Sequence, residues 1–376
     1  MELRQVGKTG LQASVIGLGG EYLDGEPCER TEAVLGAALD GGVNILDLFM
    51  PGSEVRENIA KALGRRRAEM LIQGHIGSTN LNEKYDISRD LPTAKRFFEE
   101  LLRLFGYIDF GMLFFIDSLE DFHSVFDGGL ADYALKLKQN GDIRHIGFSS
   151  HSPRAAKMAI ETGLPEMMMF SVNLAFDLCP AEQSVFDQTD YATFSGLDPE
   201  RAALYALCEQ RGVGITVMKT YGAGKLLSPE HTPFGRPMTE AQCIHYALSR
   251  PAVASALIGC KSVEELNSAL AYLNSSAEER DYAPYMSALR KDFQGSCVYC
   301  SHCQPCPVGI DIAAVHRYLD ISRLNKDAIP PSVRAHYGAL AAKGSACINC
   351  ASCEKRCPFG VPVQENMRDA ATLFGE

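Results

Sequence analysis

The sequence predicts an α/β fold, a closed (β/α)8 barrel followed by a small, mainly α-helical domain, and three observations predict it. From residue 13 to about 273, short apolar runs alternate with amphipathic stretches of helical period. There are eight of each, the arithmetic of a barrel of parallel strands in about 260 residues. A polar, charged stretch at 275–284 then ends the alternation, and the chain beyond it is dominated by two runs of cysteine.

In chain order the apolar runs are 15–18, 43–47, 70–76, 108–115, 143–148, 167–172, 214–218 and 253–258. The helical patterns between them are 31–40, 54–63, 93–105, 130–139, 154–161, 200–210, 239–249 and 263–273. Strands alternating with helices of this length signal βαβ units and a parallel sheet. An open doubly wound sheet is the runner-up, but no G-x-G-x-x-G follows an early strand. In a barrel the chemistry sits on the loops after the strands. Two of these are long: 78–92, with Tyr85 and Arg89, and 177–199, with Cys179, Phe186, Tyr191 and Phe194. Loops of that length in a compact domain are usually functional, and the aromatics of the second favour a lid over a plain surface excursion. In the tail, 312–324 and 333–343 read as helices, with Pro330 and Pro331 as the break. The expected domains are therefore 1–280 and 281–376.

Composition narrows the function classes. Hydrophobic residues at 46% and charged ones at 22% describe an ordinary globular chain. A net charge of −11 argues against nucleic acid and anionic membrane as partners. The first residues form no signal-peptide core and no apolar run is long enough for a bilayer, so a cytoplasmic protein is expected. Thirteen cysteines in such a chain are reduced thiols or metal ligands, not disulfides. Cys28, Cys179, Cys208, Cys243 and Cys260 are scattered and read as small buried hydrophobes.

The other eight carry the strongest signal. Cys297, Cys300, Cys303 and Cys306 are each two residues from the next, with Pro307 behind. Cys347, Cys350, Cys353 and Cys357 follow the spacing C-x2-C-x2-C-x3-C-P. That spacing is the ferredoxin signature of cubane iron–sulfur clusters, in which the fourth cysteine ligates the other cluster of a pair. Two runs thus imply two [4Fe-4S] clusters, one on Cys297, Cys300, Cys303 and Cys357, the other on Cys347, Cys350, Cys353 and Cys306. Structural zinc also uses C-x2-C pairs, but normally separates two pairs by a longer finger.

The barrel resembles an aldo-keto reductase. L-R-Q-V-G-K-T-G-L at 3–11 and I-G-L-G-G at 16–20 are similar to that family's hairpin and first strand. G-D-I-R-H-I-G-F-S-S at 141–150 and L-I-G-C-K-S at 257–262 are similar to its fifth and eighth strand ends. The tail resembles the two-cluster extension of the family's iron–sulfur branch. The resemblance implies hydride transfer between NAD(P) and a carbonyl by an Asp, Tyr, Lys and His tetrad. Asp47 stands at the Asp position. No Tyr follows in D-L-F-M-P-G-S-E at 47–54, His75 stands at the Lys position, and Phe114 at the His position. For the dinucleotide, Ser149 and Ser150 fall where the family contacts the carboxamide, and Asn173 closes strand six as the family Asn does. Met169 replaces the expected glutamine. Tyr221, Gly222 and Gly224 lie in a loop whose backbone N–H groups would meet a pyrophosphate. Lys261 sits where a base meets the 2′-phosphate of NADP, and Ser262 opens a helix whose N-terminus favours anions.

Asp47 and His75 would lie on adjacent strand ends, where a carboxylate holds an imidazole in one tautomer and the pair can serve as general acid. A buried histidine satisfied by Asp47 in a barrel without chemistry is the alternative. Lys219, at the end of strand seven, is a second catalytic candidate or else a surface lysine. The sequence therefore predicts an iron–sulfur oxidoreductase whose barrel takes a small organic substrate and NAD(P). Its tail would relay electrons from a ferredoxin- or flavodoxin-type donor. The competing reading is an electron-transfer or redox-sensing protein with an inactive barrel.

Overall fold

The computed structural model describes residues 1–81, 85–179, 197–286, 294–324, 326 and 329–375. The chain forms two compact units. The first comprises Met1–Val172, Val213–Thr220 and Val253–Leu273. The second comprises Asn173–Gly212, Tyr221–Ala252 and Asn274–Glu376, so residues 281–376 fall wholly inside it. No helix among the described residues is long and apolar enough to cross a membrane.

The first unit holds the barrel. A hairpin of β1 (Leu3–Gln5) and β2 (Gln12–Ser14) precedes β3 (Ile16–Gly19), β4 (Ile45–Leu48) and β5 (Leu71–Ile76). A small hairpin of β6 (Ser78–Thr79) and β7 (Asp86–Ile87) follows. Then come β8 (Ile108–Leu113), β9 (Ile143–Ser150), β10 (Met167–Ser171), β11 (Gly214–Met218) and β12 (Val253–Gly259). β3, β4, β5 and β8 to β12 close in sequence order, all parallel, with β12 returning to β3. All eight are strands expected from the apolar runs. Every residue of β4 and β8 is buried, as a parallel sheet covered on both faces requires. Asp90, Ser118, Ser152 and Ser262 accept backbone N–H groups at helix starts, which fixes where the outer helices begin.

The β1–β2 hairpin plugs the N-terminal mouth. Val6 and Ala13 join Ile45, Phe110, Met167 and Ala254 in one buried cluster. A Cβ on Gly214, which opens β11, would stand 2.6 Å from the backbone nitrogen of Gly7. The barrel is therefore closed at its N-terminal mouth.

The second unit is helical. Its described helices include Pro199–Arg211, Glu240–Leu248, Ile312–Leu324, Pro331–Gly338, Ser352–Arg356 and Val363–Phe374. The expectation at 312–324 matches the observed helix, while that at 333–343 is corrected. Pro331 occupies the first helical turn, where a missing N–H costs nothing, and opens the helix. The loop 78–92 is likewise no bare excursion, since β6 and β7 pair within it. Phe186, Tyr191 and Phe194 lie outside the described residues. Of the five scattered cysteines, four are buried as expected. Cys28 is half-buried, with its Sγ 3.2 Å from Lys61 Nζ.

Candidate active site and cysteine cavities

A line of polar side chains runs through the barrel interior at the level of β4, β5 and β11. Thr216 donates to Gln73 Oε1 at 2.7 Å, and Gln73 Nε2 donates to Asp47 Oδ1 at 2.9 Å. His75 Nε2 meets the same Asp47 oxygen at 2.7 Å. Asp47 Oδ1 already accepts from Gln73, and it accepts from His75 as well in the tautomer that carries the proton on Nε2. Nδ1 is then left over, and among the described residues it has no partner although His75 is only 1% exposed. An unpaired buried polar atom costs about 1–3 kcal/mol, so its retention calls for an explanation in function or strain. The expected Asp47–His75 pair is thus formed. Gln73 and Thr216 extend it, and sequence reasoning missed both. The signal for Gln73 was present: it stands two residues before His75 on one strand, hence on the same face.

Aromatic rings wall off the histidine. Phe114 meets it edge-on at 5.0 Å and Phe49 at 6.2 Å between centroids, and those two rings stack at 6.1 Å. Tyr85 packs edge-on against both, at 5.5 and 5.7 Å. Although 43% of Tyr85 is exposed, burial of the phenol, with Asp117, Glu21 and Asp86 nearby, pushes it up to about 12. That makes Tyr85 a poor acid in the resting protein. Arg89 donates to the carbonyls of Phe114 and Phe115, both at 2.6 Å, and to Asp121 at 2.7 Å. It pins the corner where Phe115 takes a left-handed φ of 55°.

The residues expected to hold a dinucleotide are largely engaged elsewhere. Ser149 Oγ accepts the Phe115 N–H at 2.9 Å. Ser150 Oγ bonds Asp117 at 3.2 Å and the Ser152 carbonyl at 3.1 Å. Asn173 is buried and caps Leu174–Asp177 by accepting the Phe176 N–H at 2.9 Å. Gly222, Ala223 and Gly224 are all left-handed, at φ 58°, 56° and 83°, and Tyr221 beside them is half-buried. Three left-handed residues in a row do not form the alternating N–H nest that cradles phosphate. Lys219 is also left-handed, at 59°, and half-buried. Lys261 is exposed, with Nζ 5.6 Å over the Tyr22 ring. The helix start behind it is already filled: Ser262 accepts the Glu265 N–H at 3.3 Å, and the Glu265 carboxylate takes the Lys261 N–H at 2.7 Å.

In the second unit the eight tail cysteines line two cavities. Cys297, Cys300, Cys303 and Cys357 surround one of about 340 Å3, and Cys306, Cys347, Cys350 and Cys353 surround one of about 370 Å3, solvent-open space included. Each cavity takes three cysteines from one run and the fourth from the other. The two loops repeat one conformation, since Tyr299 and Ser301 flank Cys300 at φ 60° and 63°, while Asn349 and Ala351 flank Cys350 at 55° and 58°. Left-handed residues alternating with right-handed ones turn N–H groups into a concavity that suits an anionic group, iron–sulfur centres included. A further repeat lies downstream. C-P-V-G-I-D-I and C-P-F-G-V-P-V follow Cys306 and Cys357, with Gly309 and Gly360 both left-handed, and each leads into a helix, Ile312–Leu324 or Val363–Phe374. Arg356 ties the halves together by donating to the carbonyls of Cys303 at 2.6 Å and Pro305 at 2.7 Å.

The two cavities differ in their surroundings. Burial raises the thiols of Cys297 and Cys303 well above the usual range and that of Cys300 to about 12. Cys350 is exposed, and the Ser352 N–H and hydroxyl hold its thiol below the usual range. Metals bind thiolates, so loading the deep site must release protons. Among the described residues no three His, Cys, Asp or Glu side chains converge closely enough to hold one metal ion. One zinc, at ~2.3 Å from each sulfur, would demand such convergence. A cubane binds each thiolate through a different iron and spreads its ligands around a wider hole, so the donor set fits it better.

The barrel has the aldo-keto reductase (β/α)8 fold. The solved structures it resembles include the aldo-keto reductase AKR11C1 from Bacillus halodurans in its holo form, at a TM-score of 0.60 and 21% identity, covering 77% of this chain and 96% of that one. The apo form of the same protein superposes at a TM-score of 0.52 and 20% identity, with the same coverage. A candidate aldo-keto reductase from Pseudomonas aeruginosa gives a TM-score of 0.54 at 20% identity, covering 72% of this chain and 95% of that one. No family model and no curated protein matches the chain. Identities this low establish the fold.

Proposed function

We propose that this protein is an oxidoreductase of the iron–sulfur branch of the aldo-keto reductases, carrying two [4Fe-4S] clusters and reducing a small organic substrate in the barrel. The observation that supports it is the exchange of the fourth cysteine, with Cys357 lining the cavity of the first run and Cys306 that of the second. Cubane clusters, when bound, supply electrons singly to an acceptor. Cys297, Cys300, Cys303 and Cys357 hold one, and Cys306, Cys347, Cys350 and Cys353 the other. Their source is a one-electron carrier of ferredoxin or flavodoxin type. Iron analysis of anaerobically reconstituted chain should find about eight irons per chain, with acid-labile sulfide. Zinc in their place would sink the proposal.

In the barrel, Asp47 holds His75 by Nε2, and Nδ1 is the atom left to bond a substrate, or to give it a proton when the ring is the imidazolium. Phe49 and Phe114 exclude water around it and strengthen that contact. We keep NAD(P) as the barrel's dinucleotide, a reading supported by the aldo-keto reductase fold. Anaerobic titration with NADPH tests its binding directly.

A second reading, an electron-transfer or redox-sensing protein with an inactive barrel, rests on the burial of Asp47 and His75 to 4% and 1% exposure. His75→Ala separates the two. Under the enzymatic reading, turnover with a reduced one-electron donor falls by about 10²–10⁴. Under the other, electron transfer is unaltered.

A further inference from the structure

Arg250 is 3% exposed, yet among the described residues no carboxylate lies within ion-pair distance of it. Its Nη2 donates only to neutral atoms: Ser249 Oγ at 2.9 Å, Tyr282 Oη at 3.0 Å and the Val298 carbonyl at 3.1 Å. Its Nε has no partner among the described residues. The planar guanidinium lies 4.5 Å over the Tyr246 ring and 5.1 Å over the Tyr299 ring. The nearby carboxylates are spoken for. Asp177 pairs with Arg201 at 2.8 Å and also accepts the hydroxyls of Tyr205 and Tyr246. Asp281 bonds the His302 ring, and Asp320 pairs with Arg323 at 3.6 Å.

Asp177 attracts the Arg250 charge but is shared with Arg201, so this buried cation is only partly compensated, which is costly. Val298 and Tyr299, which Arg250 touches, are the two residues between Cys297 and Cys300. Tyr282 ties the same place down by donating to the Val298 carbonyl at 2.7 Å. The guanidinium is therefore held against the deep cysteine loop, whose occupant, with four thiolates, is an anion. Arg356 lines the other cavity, but it is half-exposed and its charge is screened by water.

We propose that Arg250, positioned by Tyr282, is the internal counter-charge of the cluster on Cys297, Cys300, Cys303 and Cys357, and raises its reduction potential. The inference rests on the iron–sulfur reading above. Reduction adds one electron, and so one negative charge, with no bond made or broken. The electron comes from the one-electron donor, or from dithionite in the test. A nearby buried cation stabilises the reduced form more than the oxidised one.

The test is an EPR-monitored redox titration of the anaerobically reconstituted full chain. Cys350→Ser, which alters only the exposed site, assigns the two signals. Arg250→Gln should weaken electron binding at the deep site tenfold or more, a downward shift of at least ~59 mV for a one-electron couple, and leave the other signal in place. Arg250→Lys, which keeps the charge, should restore most of the shift. Should Arg250→Gln fail to fold, Tyr282→Phe carries the test, with a smaller shift of the same signal downward. An unmoved deep signal, or equal movement of both, overturns the role of Arg250. Failure of the parent chain to take up iron would instead overturn the iron–sulfur reading beneath it.

Discussion

Thr216 is a methyl and a hydroxyl on the inner face of a barrel strand, and its hydroxyl is the first link of the line that ends at His75. Thr216→Val keeps the shape but leaves Gln73 Oε1 without its donor. The expected cost is about 1–3 kcal/mol of stability, read as a fall in the urea midpoint at unchanged slope. Loss of Gln73 as a positioned donor should also slow turnover, though less than His75→Ala. A stability change with unaltered turnover would confine the line to a structural role. At this scale the sequence was informative where a residue type is rare in its setting. A carboxylate and an imidazole at the ends of apolar strands stand out, and Asp47 and His75 do meet. Gln73 and Thr216 did not stand out, because polar residues inside a barrel are recognisable only once the strand phase is known. Ser149 and Ser150 can bond to their own chain as well as to a ligand, and the sequence does not show which bonds they make within the chain.

The strands were legible because a parallel sheet buried on both faces needs continuous apolar runs, and all eight are present. The N-terminal hairpin was legible only through the resemblance at 3–11, and the β6–β7 pair was not legible, since two or three residues carry no periodicity. Nor was the helix Leu119–Phe126, whose start depends on the reciprocal bonds of Ser118 and Asp121. Two glycines show how elements constrain substitution. Gly36 lies inside the helix Cys28–Asp40 with nothing within 4 Å of an added Cβ, so Gly36→Ala should stabilise by about 0.5–1 kcal/mol. Gly214→Ala meets backbone at 2.6 Å and should destabilise, lowering the denaturant midpoint. Glu166, just before β10, adds a pH dependence. Burial works to raise its carboxyl, but His145 and Lys138 outweigh that and hold it at about 2. The unfolded chain titrates near 4.3, so this stabilisation is present above that value and is lost as pH falls through about 2. Allowing for solvent screening of a half-exposed site, Glu166→Gln should cost on the order of 1–2 kcal/mol at pH 7, with the difference vanishing at the acid end. A difference that does not change with pH would disprove the linkage.

For the molecule as a whole, metal loading and folding are expected to be linked, because thiolates arranged around a hole gain their partners only in the folded chain. The iron-loaded protein should melt at a higher temperature than the chelated one, and equal melting temperatures would show that the cysteine cavities contribute nothing to stability. A change in composition near residue 280 suggested a boundary there, whereas the observed units interleave three segments each. Contacts between distant segments have no signature in local sequence. The crossed cysteines carry a last consequence, for assembly. Each half of the tail is a lock whose last pin is kept in the other half, so neither can be completed alone. A chain stopped after Ala346 still has all four cysteines of its first run, yet it should come away with no intact cluster instead of one. Loss of Cys306 or Cys357 should likewise empty the site built mainly by the other run, an effect that a change at Cys350 would not have.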